Sequence, residues 1–217
     1  MRLTEVLNLI EMGEDYHCEF KRKFSTHKKI AKEMIAFANS GGGYILFGID
    51  DDKKIIGIES EKSEADLIQD SADNYCEPAI DYNIEYKELK GKEIIIVEIP
   101  ESNKKPHRIQ DYKNVININD AVVSIRVNDK SVLASKEMIK IMINESNGAT
   151  LKNYSIGPNE KTVFEFLDEN ETITVPQLKK LVNISERRAS RTLIKMVRAK
   201  LLLLHKKENS EEYFSSK

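Results

Sequence analysis

"ANSGGGYILFGIDDD", Ala38 to Asp52, sets three consecutive glycines between a helical pattern and an extended one. Upstream, Ile30, Ala31, Met34, Ile35 and Ala38 recur at the spacing of one helix face, with Lys28, Lys29 and Lys32 on the other side. Downstream, "YILFGI" and "KIIGI" flank "DDDK", which predicts a β-hairpin with an acidic turn. The order is helix, glycines, strand. Phosphate-binding loops run strand, glycines, helix, so that the anion meets the positive N-terminal end of the helix. A phosphate on Gly41, Gly42 and Gly43 would instead face a negative C-terminal end, and no Gly-Lys-Ser/Thr follows. A C-cap with positive φ and close backbone packing explains the first glycine or two and leaves the third without a role.

Outward from this stretch, residues 3–12 read as an amphipathic helix and "YHCEF" as a short extended segment. "SEADLIQDSADNYC" predicts a helix beginning near Ser63, and "DYNIEYKEL" and "KEIIIVEIP" predict two strands turning at Lys90-Gly91. Extended pieces follow over 112–127, then a helix with Ser135 as its N-cap. Helices interleaved with mainly antiparallel strands define an α+β class. Gly148, Gly157 and Pro158 mark residues 147–158 as a linker between a domain at 1–146 and another at 159–217.

Residues 159–217 predict helix, helix, the tight turn "NIS", helix and β-hairpin, the layout of a winged helix-turn-helix. The third helix, "SERRASRTLIKMVRAK", starts at Ser185 and carries one apolar stripe of Ala189, Leu193, Met196 and Val197. Arg187, Arg188, Arg191, Lys195 and Arg198 fall on its other faces. A DNA-recognition helix needs this combination, one face docked on its own domain and the other reaching phosphates and guanine edges.

The chain has 217 residues, 40% hydrophobic and 32% charged, and no apolar run near the roughly 18 residues of a membrane span. No signal-peptide pattern opens it, and Cys18 and Cys76 form no C-x-x-C pair, so a soluble protein of a reducing cytoplasm is expected, with no membrane partner. The net charge of −2 hides an uneven distribution, 22 Lys and Arg against 27 Asp and Glu over residues 1–158 but 12 against 9 over 159–217. Within the acidic part, "KRKFSTHKKIAK" places Lys21, Arg22, Lys23, Lys28, Lys29 and Lys32 in one run without an acid, a second expected nucleic-acid surface. His17 and Cys18 make no nucleophilic pair, because strand neighbours point to opposite faces.

"EDYHCEFKRKF", "IAFANSGGGYILFGIDDDKKIIGI", "KPH" and "SIRVNDKSVLASKEMIKIM" resemble the Schlafen/AlbA-type DNA-binding domain of many prokaryotic regulators, over residues 1–146. The resemblance implies a mixed sheet with helices that handles nucleic acid, often followed by a winged helix. Where that family shows an arginine and then a glycine-serine element, this chain has Arg126 and "VNDKS". Members are often labelled ATP-binding, a label the order of helix, glycines and strand does not support. Together these features predict a transcriptional regulator that binds DNA, with RNA as the other candidate, requires no cofactor, and would suit palindromic sites as a homodimer. The resemblance also implies an alternative, a metal-dependent endoribonuclease in which Glu14, Glu19 and Asp51 hold Mg²⁺ or Mn²⁺ and Lys21, Arg22 and Lys23 hold the polyanion. Against it, Asp is favoured in any hairpin turn, and Glu19 could be a solvated residue paired with Lys21.

Overall fold

The computed structural model describes residues 1–146 and 154–216, without the side chain of Glu61. Most of the expected linker, residues 147–153, therefore lies outside the described residues, and 154–157 hold no helix or strand. The chain divides into two compact units, Met1–Ala134 and Ser135–Lys217.

In the first unit the elements are α1 (Leu3–Met12), β1 (Cys18–Lys21), α2 (His27–Asn39), β2 (Gly43–Phe47), α3 (Glu61–Asn74), β3 (Cys76–Glu77), β4 (Asn83–Leu89), β5 (Lys92–Ile99), β6 (Arg108–Ile109), β7 (Ser124–Val127) and β8 (Lys130–Leu133). The main sheet runs β1-β2-β5-β4, parallel between β1 and β2 and antiparallel elsewhere. α2 is thus the crossover of a parallel pair, and the fold is α+β with a mixed sheet. Alternate residues of β2 and β5 feed two cores. Ile45, Phe47, Ile95, Val97 and Ile99 pack with Ile30, Met34, Phe37 and Ile68, while Leu46, Ile94 and Ile96 pack with Val6, Ile10 and Phe20. A strand covered on both faces reads as a continuous apolar run, which is why "YILF" and "IIIV" show no alternation.

Two local expectations are corrected. The hairpin across "DDDK" is cut short. β1 and β5 take both edges of β2, so the returning segment closes its turn with the antiparallel bridge Ile49–Ile55 and the Asp50 N–H donating to the Lys54 carbonyl at 2.9 Å, and donates from Ile56 and Gly57 to the Gly48 carbonyl at 2.8 and 2.9 Å, without extending into a paired strand. α3 is capped by Ser60, whose Oγ accepts from the Ser63 N–H at 3.4 Å, rather than starting near Ser63.

The second unit holds α4 (Lys136–Ser146), α5 (Pro158–Glu169), α6 (Val175–Leu181), α7 (Glu186–Arg198) and the antiparallel hairpin β9 (Leu202–Lys206) and β10 (Glu212–Ser216). The Met138 N–H donates to Ser135 Oγ at 3.1 Å, as the N-cap pattern predicts. Val163, Ile173, Leu178, Ala189, Leu193, Met196, Leu202 and Phe214 form its core, and Ile173 bridges Phe214 beside the hairpin. α4 groups with this unit, so the division falls before residue 146. No helix among the described residues is long and apolar enough to cross a membrane.

Candidate functional site

Two of the three glycines, Gly42 and Gly43, are required by packing. A Cβ on Gly43 would lie 2.5 Å from both the His17 carbonyl oxygen and the Phe37 ring. At Gly42, φ is +71° and a Cβ would lie 2.8 Å from the Glu101 nitrogen and the Ile99 oxygen. On Gly41 it would meet only the side chains of His17 at 3.0 Å and Tyr16 at 3.4 Å, which can move. The third glycine, unexplained from sequence, lets β2 start against β1, where the Tyr44 N–H donates to the His17 carbonyl at 2.7 Å. His17 closes the turn from outside, its Nδ1 2.9 Å from the Gly42 carbonyl. Overpacking typically costs about 1–3 kcal/mol, so Gly43→Ala should destabilise by at least about 2 kcal/mol and Gly41→Ala by well under 1, read by chemical denaturation. A loss of nucleotide binding with stability intact would contradict this packing role.

The acids around β1 are organised by Arg126, which no local sequence signal ties to them. Its side chain is fully buried, with NH1 donating to Glu19 Oε2 at 2.9 Å, Ser131 Oγ at 3.1 Å and Glu33 Oε2 at 3.5 Å. NH2 donates to the Asp15 carbonyl at 2.7 Å, and the guanidinium lies 4.6 Å from the Phe37 ring centroid. The Arg126 N–H donates to Ser40 Oγ at 2.9 Å, so β7 is fastened to the end of α2. Glu19 Oε1 is held by Lys21 Nζ at 2.5 Å, and Glu14 Oε1 accepts from the Phe20 N–H at 2.8 Å. Burial, then the charges of Glu19 and Asp51, hold the Glu14 carboxyl above its ordinary value. The three acids therefore share one electrostatic neighbourhood. Among the described residues no three His, Cys, Asp or Glu side chains are grouped to hold a metal, Asp51 is exposed on its turn, and both Glu19 oxygens are already engaged by cations. The residues present do not fit Mg²⁺ or Mn²⁺. Glu19 is buried rather than solvated, because its partner Arg126 arrives from a distant strand.

The expected cationic residues separate into two sets. Arg187, Arg188, Arg191 and Lys195 are exposed, and among the described residues none forms an ion pair. They line a concave surface of about 560 Å³ with Ser185 and the first turn of α5 at Pro158, Asn159 and Glu160. Ser185 Oγ accepts from the Arg188 N–H at 3.3 Å, while Ala189, Leu193 and Met196 are buried behind. Arg198 does not join them, since its NH2 donates to Asn144 Oδ1 of α4 at 3.4 Å and its Nε is buried without a partner among the described residues. In the other run, Lys28 and Lys29 are exposed at the N-terminal end of α2 and Lys32 is half-buried. Lys23 is exposed and Arg22 pairs with Asp50 at 3.4 Å, whereas Lys21 is committed to Glu19 and is not available to a polyanion. Burial pushes the Cys18 and Cys76 thiols up to about 12, so neither is a thiolate near neutrality.

A family model described as Schlafen, AlbA_2 matches residues 14–135. An uncharacterized ATP-binding protein of Ureaplasma parvum is 38% identical over 87 residues, 37% of this chain and 24% of that protein. The match thus spans about a quarter of the relative's length. The N-terminal domain of a RecG-related protein from Nitrosomonas europaea superposes with a TM-score of 0.44 at 24% identity, covering 54% of this chain and 84% of that one. A protein of Corynebacterium diphtheriae gives a TM-score of 0.42 at 18% identity, covering 61% and 30%. The matched segment carries the glycine turn, Glu19 and Arg126, and it runs over more than half of the sequence, so the chain belongs to the Schlafen, AlbA_2 family.

Proposed function

We propose that the protein binds nucleic acid as a DNA-binding transcriptional regulator, its second unit being a winged helix-turn-helix with α7 as the recognition helix. One observation carries this proposal, the cationic face of Arg187, Arg188, Arg191 and Lys195, unpaired among the described residues, on a helix whose opposite face is buried. Four cations presented along one helix match the phosphate and guanine acceptors of a major groove. The hairpin tip supplies little net charge, since Lys207 pairs with Glu211 at 3.3 Å. Cleavage is not favoured, because Glu19 is neutralised by Lys21 and Arg126. The test is a gel-shift series of the full chain on labelled duplex DNA and structured RNA, with and without Mn²⁺, scored for binding and cutting. A shift of DNA without cutting is expected; cutting of RNA that Asp51→Asn abolishes would favour the nuclease instead.

The α2 lysines form the second contact surface. Reversing Lys28, Lys29 and Lys32 together to Glu should weaken non-specific binding about tenfold or more at low salt, through lost long-range attraction. The thermal midpoint should stay nearly unchanged, because two of the three side chains are exposed. A collapsed midpoint would show that the face is structural.

A further inference from the structure

We propose that Ser102 is a nucleophilic site, activated by His107, that accepts an acyl group from a compact short-chain ester. Both residues lie in the "ESNKKPH" segment after β5. His107 Nδ1 is 2.8 Å from the Pro78 carbonyl, which can only accept, so Nδ1 carries the proton of the neutral ring. Nε2 is then bare, and at 2.7 Å the Ser102 hydroxyl must donate to it. This is the polarity a base imposes on a serine nucleophile. The arrangement is held by three hydrogen bonds to the end of α2. Asn39 Oδ1 accepts from the His107 N–H and Asn39 Nδ2 donates to the His107 carbonyl, each at 2.8 Å, and the Ser102 N–H donates to the Ala38 carbonyl at 2.9 Å. Ser102 Oγ also accepts from the Lys104 N–H at 3.0 Å, which leaves one lone pair for attack.

The serine opens on a cavity of about 150 Å³ with apolar walls from Ala38, Ile80 and Pro100 and polar ones from Asp81 and Glu101. Asn103 lines it too, and its backbone N–H has no acceptor among the described residues. A free N–H on the residue after the nucleophile is where an oxyanion would be stabilised. In the step, Ser102 Oγ bonds to the acyl carbon, its proton passes to His107 Nε2, and the carbonyl π pair moves onto oxygen. As the tetrahedral adduct collapses, the bond to the leaving oxygen breaks and His107 returns the proton to it. The products are acyl-Ser102 and an alcohol. Burial, countered by the Pro78 contact and by Asp81 and reinforced by Lys104 and Lys105, holds His107 below its ordinary value, so the base is free at neutral pH.

The test treats the full chain with p-nitrophenyl acetate and follows nitrophenolate release and the acetylated peptide by mass spectrometry. Acetylation of Ser102 is expected to run on the order of a hundredfold faster than any adduct formed in Ser102→Ala or His107→Gln. Its rate should rise with pH and level off below the usual imidazole range. Because His107 is buried and its replacement can cost the fold, the ring tautomer is also read by nitrogen NMR of the unmodified protein, with Nδ1 protonated and Nε2 bare. Acetyl groups on lysines alone, a rate still climbing through the alkaline range, or a proton on Nε2 would overturn the proposal.

Discussion

Arg126→Met should lower the stability of the first unit by about 3 kcal/mol or more, because removing one partner of a buried ion pair typically costs about 3–5 kcal/mol. The guanidinium is the only group within reach that ties Glu19 and Glu33 to β7 among the described residues, and both carboxylates are largely shielded from water. Methionine keeps much of the volume against Phe37 but supplies no donor, leaving Glu33 with Ser131 alone and Glu19 with Lys21 alone. The surviving Lys21 contact places the expected cost toward the lower end of that range. Urea denaturation checks it, with the midpoint falling and the slope against denaturant unchanged. Adding Glu19→Gln and Glu33→Gln should restore part of the loss, since neutral amides tolerate the site without a cation. A single variant within about 0.5 kcal/mol of the parent would mean that Arg126 is not the organising group.

What was legible in the sequence was local. α2 and α7 follow from apolar residues at helical spacing, and the β4–β5 turn follows from Lys90-Gly91, both at positive φ. Carboxylates at Glu14, Glu19 and Asp51 were visible as acids, but the fate of Glu19 depends on Arg126, more than a hundred residues away. The third glycine makes sense only once His17 and Phe37 are placed beside it. The expected "DDDK" hairpin is cut short for the same reason, as a strand's choice of partner is not written in its own residues. Arg198 lies at helical spacing from the exposed arginines, yet α4 claims it. The Ser102–His107 pair could have been suspected from two polar residues five apart, but not its direction, which Pro78 sets.

Replacing Arg187, Arg188 and Arg191 together by Ala should cost at least about 3 kcal/mol of DNA affinity, a loss of roughly a hundredfold or more, taking about 1 kcal/mol as the lower value for each arginine contact. The fold should survive. All three side chains are exposed, and alanine is the best helix former, so the circular dichroism and melting of the variant should match the parent. Arg198→Ala is the internal control, since its side chain turns to Asn144 and should contribute little to binding. If Arg198→Ala weakened DNA binding as much as the triple replacement, the contact face on α7 would be wrongly assigned.

The most direct measurement is the salt dependence of DNA binding, with log K against log[salt] compared for the parent chain and the Arg187, Arg188 and Arg191 triple variant. Each phosphate contact adds about 0.9 to the steepness of that line through counterion release. If α7 lies in the groove with its arginines on phosphates or bases, the variant's line should be both lower and shallower, by about one unit for each phosphate contact removed. Equal slopes and equal affinities would contradict the placement of DNA on α7.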